Sequence, residues 1–248
     1  MKGLSKINFQ KKISALIPKK IKNILRFFGL TDFFYNHFLD KYESELAAKM
    51  GWGKEFEKEN VKINALNYYR KFRFLDDLLI QTHLSNESVV LDVGCGIASI
   101  LHFIPGKKKI GIDPLADWYH KFYSYPKDLD VRKSHGEKID FEDGYFTHIF
   151  CTNVLDHVSK PIEVLSEIKR VLVPGGYFIL TVETHEKSGK SRGPHHPHTF
   201  SKKDVRELIR LVGFNVVTEK ETSFLGVQQY SLGMPTKKDK ESFFILRS

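Results

Sequence analysis

Three groups of residues have the types and spacing to do chemistry. The first is Asp92 followed by Gly94, Cys95 and Gly96, where two glycines break an apolar run. A strand that turns tightly there would bring backbone N–H groups up against a ligand. The second is Asp156-His157, which follows the apolar run ending near Val154. These two side chains form a candidate acid–base pair. The third is Arg192-Gly193-Pro194-His195-His196-Pro197-His198-Thr199-Phe200, with His185 just before it. Five of the 11 histidines, at 157, 185, 195, 196 and 198, would gather near one end of a sheet. Three readings of that loop compete. A positioned histidine is a common general base. A loop dominated by proline and glycine can instead only shape a pocket. Histidines can also bind a divalent metal, but spacing does not establish convergent ligand geometry. No metal is assigned. The catalytic candidates are therefore His157, His195, His196 and His198.

Apolar runs and turn residues set the elements that position these groups. Strands are predicted at 88–93, 108–112, 129–133, 146–152, 176–183, 214–220 and 242–247. Helices are predicted at 97–103, 115–122, 160–172 and 201–212. Alternation of strands and helices implies an α/β fold with a mostly parallel sheet and helices on both faces. The last strand follows another strand with no helix between them, which suits an antiparallel hairpin strand. In such sheets ligands bind outside the carboxyl ends of the strands. That rule selects Gly94–Gly96, Asp113, Ser134–Glu137, Thr152–Val154 and Val182–His185.

The run Leu91-Asp92-Val93-Gly94-Cys95-Gly96 resembles motif I of the class I S-adenosylmethionine-dependent methyltransferases. Ile110-Gly111-Ile112-Asp113, Val154-Leu155-Asp156-His157-Val158 and Val171-Leu172-Val173-Pro174-Gly175-Gly176 also match that family, in its order. The resemblance runs from about Ser88 to the C-terminus. It implies a Rossmann-like seven-stranded sheet and S-adenosylmethionine as cofactor. It also implies cofactor contacts at Asp92, Gly94, Cys95 and Gly96, and ribose binding at Asp113. An acidic residue about 20 positions after the glycines suits vicinal hydroxyls. The family's adenine-binding acid aligns with His135, followed by Gly136 and Glu137. Asn153 falls where the family places a residue against the cofactor. Thr147 stands where the family often has Asp. The gap between these matches and a dinucleotide fingerprint is clear, since Gly-x-Gly-x-x-Gly would need glycine at Ser99.

The resemblance implies methyl transfer to a small-molecule acceptor, with an oxygen of a sugar, glycolipid or lipid-like intermediate preferred. An aromatic-rich N-terminal region and the histidine loop suit a small or amphiphilic acceptor. RNA, protein and a non-catalytic cofactor binder are the rivals. The segment Thr152-Asn153-Val154-Leu155 lacks the tetrapeptide of amino-methylating DNA enzymes and the Pro-Cys of carbon-5 pyrimidine enzymes, so nucleic acid is disfavoured.

The chain has 248 residues and is 41% hydrophobic, enough for a substantial core. It divides into an N-terminal helical cap, 1–85, and a methyltransferase-like domain, 86–248. Two cysteines exclude a disulfide framework and suit packing in a reducing, cytoplasmic setting. No stretch reaches the roughly 18 apolar residues of a membrane span. The net charge is +9, and eight cations between Lys2 and Arg26 precede the first acid, Asp32. Ile17, Ile21, Ile24, Leu25 and Phe28 recur at helical spacing beside them. Residues 11–28 therefore predict either a packed helix with a basic face or peripheral contact with an anionic membrane. In the cap, Tyr68, Tyr69, Arg70 and Arg73 are candidates to face the ligands.

Overall fold

Val89–Val93 is a run of apolar residues around one acid, and such a run suits a strand covered on both faces. In the computed structural model it is strand β1, and every residue after Val89 is buried. The structure describes residues 81–121, 123–189, 196–223 and 240–248, together with Leu66 and Tyr69. The remaining strands are β2 (Lys108–Ile112), β3 (Leu129–Arg132), β4 (Phe146–Thr152), β5 (Leu172–His185), β6 (Phe200–Ser201), β7 (Asn215–Ser223) and β8 (Lys240–Arg247). Helices α1 (Ala116–Tyr119), α2 (Pro161–Val171) and α3 (Lys202–Val212) lie between them.

The sheet order is β3-β2-β1-β4-β5-β8-β7, and the two-residue β6 attaches to β5. The pairs among β1 to β5 are parallel. β8 runs antiparallel between β5 and β7. The expected seven-stranded, mostly parallel Rossmann-like sheet is therefore present, with one short strand added. The order reverses between β1 and β4, and this is the switch point where ligands of such sheets bind.

Each face of the sheet carries its own core. Leu91, Ile149, Phe178 and Phe244 pack with Val164, Leu165 and Ile168 of α2 and with Val205 and Ile209 of α3. Val90, Phe150, Ile179 and Phe243 pack on the other face with Tyr69, Leu84, Ile100 and Leu101. Alternation along β8 sends Phe243 and Phe244 to opposite faces, as strand geometry requires. Pro161 opens α2 at its first turn, where its missing N–H is harmless. Ser201 and Asp204 form a capping box at the start of α3, and Gly213 ends it in the left-handed region.

One predicted element is corrected. No helix spans 97–103. A single 3₁₀ turn, Ile100–His102, stands there. Pro105-Gly106 leaves only eight residues after Gly96, and proline disfavours helix in the residue before it. Ile100, Leu101 and Ile104 are all buried, so the segment serves as a plug for the sheet face. The glycine turn is thus followed by a turn rather than by a helix N-terminus. Residues 1–65 lie outside the described residues, and with them most of the cap at 1–85 and the candidate membrane segment at 11–28.

Candidate active site

The glycine turn is held from several sides. Gly94 and Cys95 N–H groups both donate to the Ile112 carbonyl at the end of β2, at 2.8 and 3.2 Å. The Tyr69 hydroxyl donates to the Ala98 carbonyl (2.8 Å) and the Tyr125 hydroxyl to the Gly96 carbonyl (3.1 Å). Tyr125 was not legible as a site residue. Its only signal was the aromatic density of the segment around Tyr119, Tyr123 and Tyr125.

Both glycines have positive φ, +71° and +51°. Their surroundings differ. A Cβ on Gly94 would overlap the Val154 isopropyl group, whereas one on Gly96 would meet nothing within 4 Å among the described residues. Gly94 therefore seats the loop after β4, and the described residues leave the side of Gly96 open. Cys95 is buried, with its thiol pushed well above its ordinary value by burial, and a Cβ on Gly111 would come within 2.7 Å of its sulfur. It is a packing residue that fixes the turn against β2.

Two buried carboxylates flank the glycine turn. Asp113 is 7% exposed and accepts from the Gly96 N–H (2.9 Å) and the Leu115 N–H (2.8 Å). Asp92 is 1% exposed. Its Oδ2 accepts from the Ser99 hydroxyl at 2.6 Å, while Oδ1 is buried with no hydrogen-bond partner among the described residues. Burial pushes the Asp92 carboxyl up to about 7, and the nearby Asp113 charge acts in the same direction. An orphaned buried carboxylate oxygen calls for a donor or a cation. A sulfonium-bearing amino acid with ribose hydroxyls supplies both, so these residues fit S-adenosylmethionine.

The segment after β3 does other things as well. His135 is half-buried and accepts from Lys138 N–H through its carbonyl at 3.2 Å. A Cβ on Gly136 would stand 3.0 Å from Val93 and 3.1 Å from Val164, so glycine here permits close packing of β1 against α2. Glu137 Oε1 accepts from the Ser159 N–H (3.0 Å), the Ser159 hydroxyl (2.8 Å) and the Lys160 N–H (3.3 Å). This carboxylate therefore anchors the start of α2, where the helix dipole also favours negative charge. Thr147 bonds to both backbone groups of Val89, at 3.0 and 3.1 Å, and so ties β4 to β1.

Beyond β4 the chain turns sharply. Asn153 adopts a left-handed φ of 57°, a conformation asparagine tolerates better than most residues. Its N–H donates to the Thr181 carbonyl (2.9 Å). Asp156 follows in the turn and is 1% exposed. The structure brings it to His196, 40 residues on, with Nδ1 2.6 Å from Oδ2. His157 Nε2 lies 3.8 Å from the other oxygen. The two imidazole rings are 4.3 Å apart, tilted by 48°. One ligand-type atom from each of Asp156, His157 and His196 falls within 4.8 Å of the others. His198 does not join them. Its Nε2 contacts the Ser159 carbonyl at 3.2 Å, and its ring stacks on Phe200. His185 lies 3.7 Å from Glu183 at the end of β5. His195, Tyr68, Arg70 and Arg73 lie outside the described residues.

The site thus has an anionic, open end at Gly96 and a histidine-rich end at Asp156, joined by the Val154–Gly94 contact. Residues 91–180, which carry both ends except His196, match a family model described as a methyltransferase domain. Residues 91–180 carry a methyltransferase domain of the class I S-adenosylmethionine-dependent type. S-adenosylmethionine is its methyl donor. The chain is 26% identical over 220 residues to the sterol 24-C-methyltransferase of Saccharomyces cerevisiae, covering 77% of this chain and 54% of that protein. It is 35% identical over 150 residues to the tRNA U34 carboxymethyltransferase of Nautilia profundicola, covering 56% and 48%. The methyltransferase domain thus belongs to a chain that spans about half the length of these relatives. In fold it is similar to a solved putative methyltransferase from Bacillus halodurans, with a TM-score of 0.53 at 18% identity, over 70% of this chain and 97% of that one.

Proposed function

We propose that this methyltransferase moves the methyl group of S-adenosylmethionine onto a lipid-like small molecule. The sulfonium supplies an already activated methyl group, so the protein need only align acceptor, methyl carbon and sulfur and manage a proton. In this reading Asp113 holds the ribose hydroxyls, Asp92 Oδ1 faces the cationic donor, and the open side of Gly96 admits it. The observation that carries the reading is the pairing of that anionic pocket with the Asp156–His196 cluster beyond β4. The acceptor class draws on the sterol 24-C-methyltransferase relative, which aligns over most of this chain. The sequence favours an oxygen acceptor, whereas that relative's name specifies carbon. Either way one proton must leave the acceptor.

A tRNA acceptor is the second reading, because the tRNA U34 carboxymethyltransferase relative has the higher identity over a shorter span. One experiment separates the two. The purified full chain is incubated with methyl-labelled S-adenosylmethionine and, in parallel, a total lipid extract, a sterol mixture and bulk tRNA. Label in the organic phase is expected. Label in tRNA alone would overturn the lipid reading.

A further inference from the structure

We propose that Tyr125, His102 and Tyr69 are positioning residues for the methyl donor, acting through the segment Gly96–Ser99 on Asp113 and Asp92. The proposal rests on S-adenosylmethionine as donor and on the roles given to the two acids above, and it is independent of the class of acceptor. The segment bonds to both buried carboxylates. At one end the Gly96 N–H donates to Asp113 Oδ2 (2.9 Å), and at the other the Ser99 hydroxyl donates to Asp92 Oδ2 (2.6 Å). The path of the segment therefore sets where the two acids stand relative to one another.

No helix fixes that path. In a helix the carbonyls of Gly96, Ile97 and Ala98 would accept from the N–H groups of Ile100, Leu101 and His102, each one turn further on. Here the Leu101 N–H donates to the Ser99 hydroxyl (3.1 Å) and the His102 N–H to the Ser99 carbonyl (3.3 Å). Side chains take the three carbonyls instead. The Tyr125 hydroxyl donates to Gly96 (3.1 Å), His102 Nε2 to Ile97 (2.9 Å) and the Tyr69 hydroxyl to Ala98 (2.8 Å). A carbonyl only accepts, so each tyrosine commits its hydroxyl proton and His102 carries a hydrogen on Nε2.

A purely packing role is the alternative. The rings do pack: His102 and Tyr125 stack at 6.3 Å and 9°, Tyr123 stands edge-on to Tyr125 at 4.8 Å, and Tyr69 lies tilted against Phe103 at 6.0 Å. Phenylalanine would serve such contacts as well as tyrosine does. Packing does not call for a donor on each of three successive carbonyls, brought from the 3₁₀ turn, from the loop before β3 and from the chain before β1. The two ends of the segment also have separate tasks. Tyr125 holds Gly96, beside Asp113 and the ribose, whereas Tyr69 holds the Ala98–Ser99 peptide, beside Asp92 and the cationic amino-acid end of the donor. A site held in shape before its ligand arrives loses less on binding.

The test measures binding of S-adenosylmethionine and of methylthioadenosine to the full chain by calorimetry, with the melting temperature of each variant beside it. Methylthioadenosine keeps the ribose but lacks the charge and the amino-acid end. Tyr125→Phe keeps the ring and removes only the hydroxyl. It should weaken both ligands by roughly 3- to 10-fold, the usual effect of one hydrogen bond. Tyr69→Phe should weaken S-adenosylmethionine by a similar factor and leave methylthioadenosine within about two-fold. His102→Phe should lose affinity, and His102→Gln, which keeps an N–H, should hold it. In an Asp113→Ala background Tyr125→Phe should have little further effect, because it acts through that carboxylate. Unchanged affinity in both tyrosine variants overturns the proposal, and a lower melting temperature beside it would leave them as packing residues. So does a Tyr125→Phe loss that persists undiminished without Asp113. If wild type binds S-adenosylmethionine but labels no lipid, the acceptor reading fails alone, and these affinities still decide the positioning.

Discussion

At the scale of single residues, Asp92 is under two opposed demands. Its carboxyl is buried without solvent, which favours the neutral acid, yet a cationic donor favours the anion. The group titrates near 7 in the folded protein against 3.8 ordinarily. Between those values the unfolded chain has lost the proton and the folded one keeps it. The folded state then binds more protons, so stability falls as pH rises from about 4 through about 7 and levels off above. The full span amounts to roughly 4 kcal/mol for a shift of about three units. Asp92→Asn should flatten this slope. Melting curves of ligand-free wild type and variant from pH 4 to 8 should diverge in that direction, and parallel curves would show that Asp92 is ionised throughout. Asp92 and Asp113 were legible because glycines and acids sit at a set spacing. Asp156 was legible as an acid–base residue, but its partner was not. Sequence offers His157 as its neighbour, whereas the fold supplies His196 from across 40 residues at the shorter distance.

At the scale of elements, the loops gain their positions from neighbours that sequence reading assigns to other tasks. Glu137 was expected on the cofactor through family alignment, and it holds Ser159 and Lys160 at the start of α2. Ser159 in turn receives His198. Glu167 and Arg170 of α2 fix the next stretch, at Ile139 and Phe141. Glu137→Ala leaves donors at Ser159 and Lys160 without their acceptor, a loss of about 1.5–3 kcal/mol for bonds to a charged group. In a domain of this size each kcal/mol shifts melting by roughly 2–4 °C. A drop of several degrees is therefore expected, with Glu137→Gln recovering part of it by keeping an acceptor oxygen. Unchanged melting with a large loss of S-adenosylmethionine affinity would return Glu137 to the cofactor. The strands were more legible than the helices for a physical reason. β2 and β4 match their predicted bounds because the buried apolar residues of each follow a glycine-containing turn. Ile97–Ile104 is just as apolar, but Pro105-Gly106 cuts it short, and burial of Ile100 and Leu101 outweighs helical periodicity.

At the scale of the whole molecule, the charge is segregated from the chemistry. Eight cations precede Asp32, leaving a net +1 for everything after them. The glycine turn itself is flanked by the acids Asp92 and Asp113 rather than by cations. The residues of the basic segment lie outside those the structure describes. Each lysine or arginine near an anionic surface contributes about 1 kcal/mol, so four engaged residues would give a useful, salt-sensitive attachment. Insertion of Ile17, Ile21, Ile24, Leu25 and Phe28 would add a contribution that salt does not screen. A lipid-like acceptor gives such an attachment a purpose, because the substrate would sit in the same surface. The rival is a helix whose apolar stripe packs on the domain, and deletion would then expose core. Removing residues 1–29 distinguishes them. Vesicles containing anionic lipid should sediment the full chain and not the truncated one, with melting temperature and S-adenosylmethionine affinity preserved. Lower melting after truncation, together with no vesicle binding by the full chain, would leave a structural helix and sever the link between the basic segment and a membrane-borne acceptor.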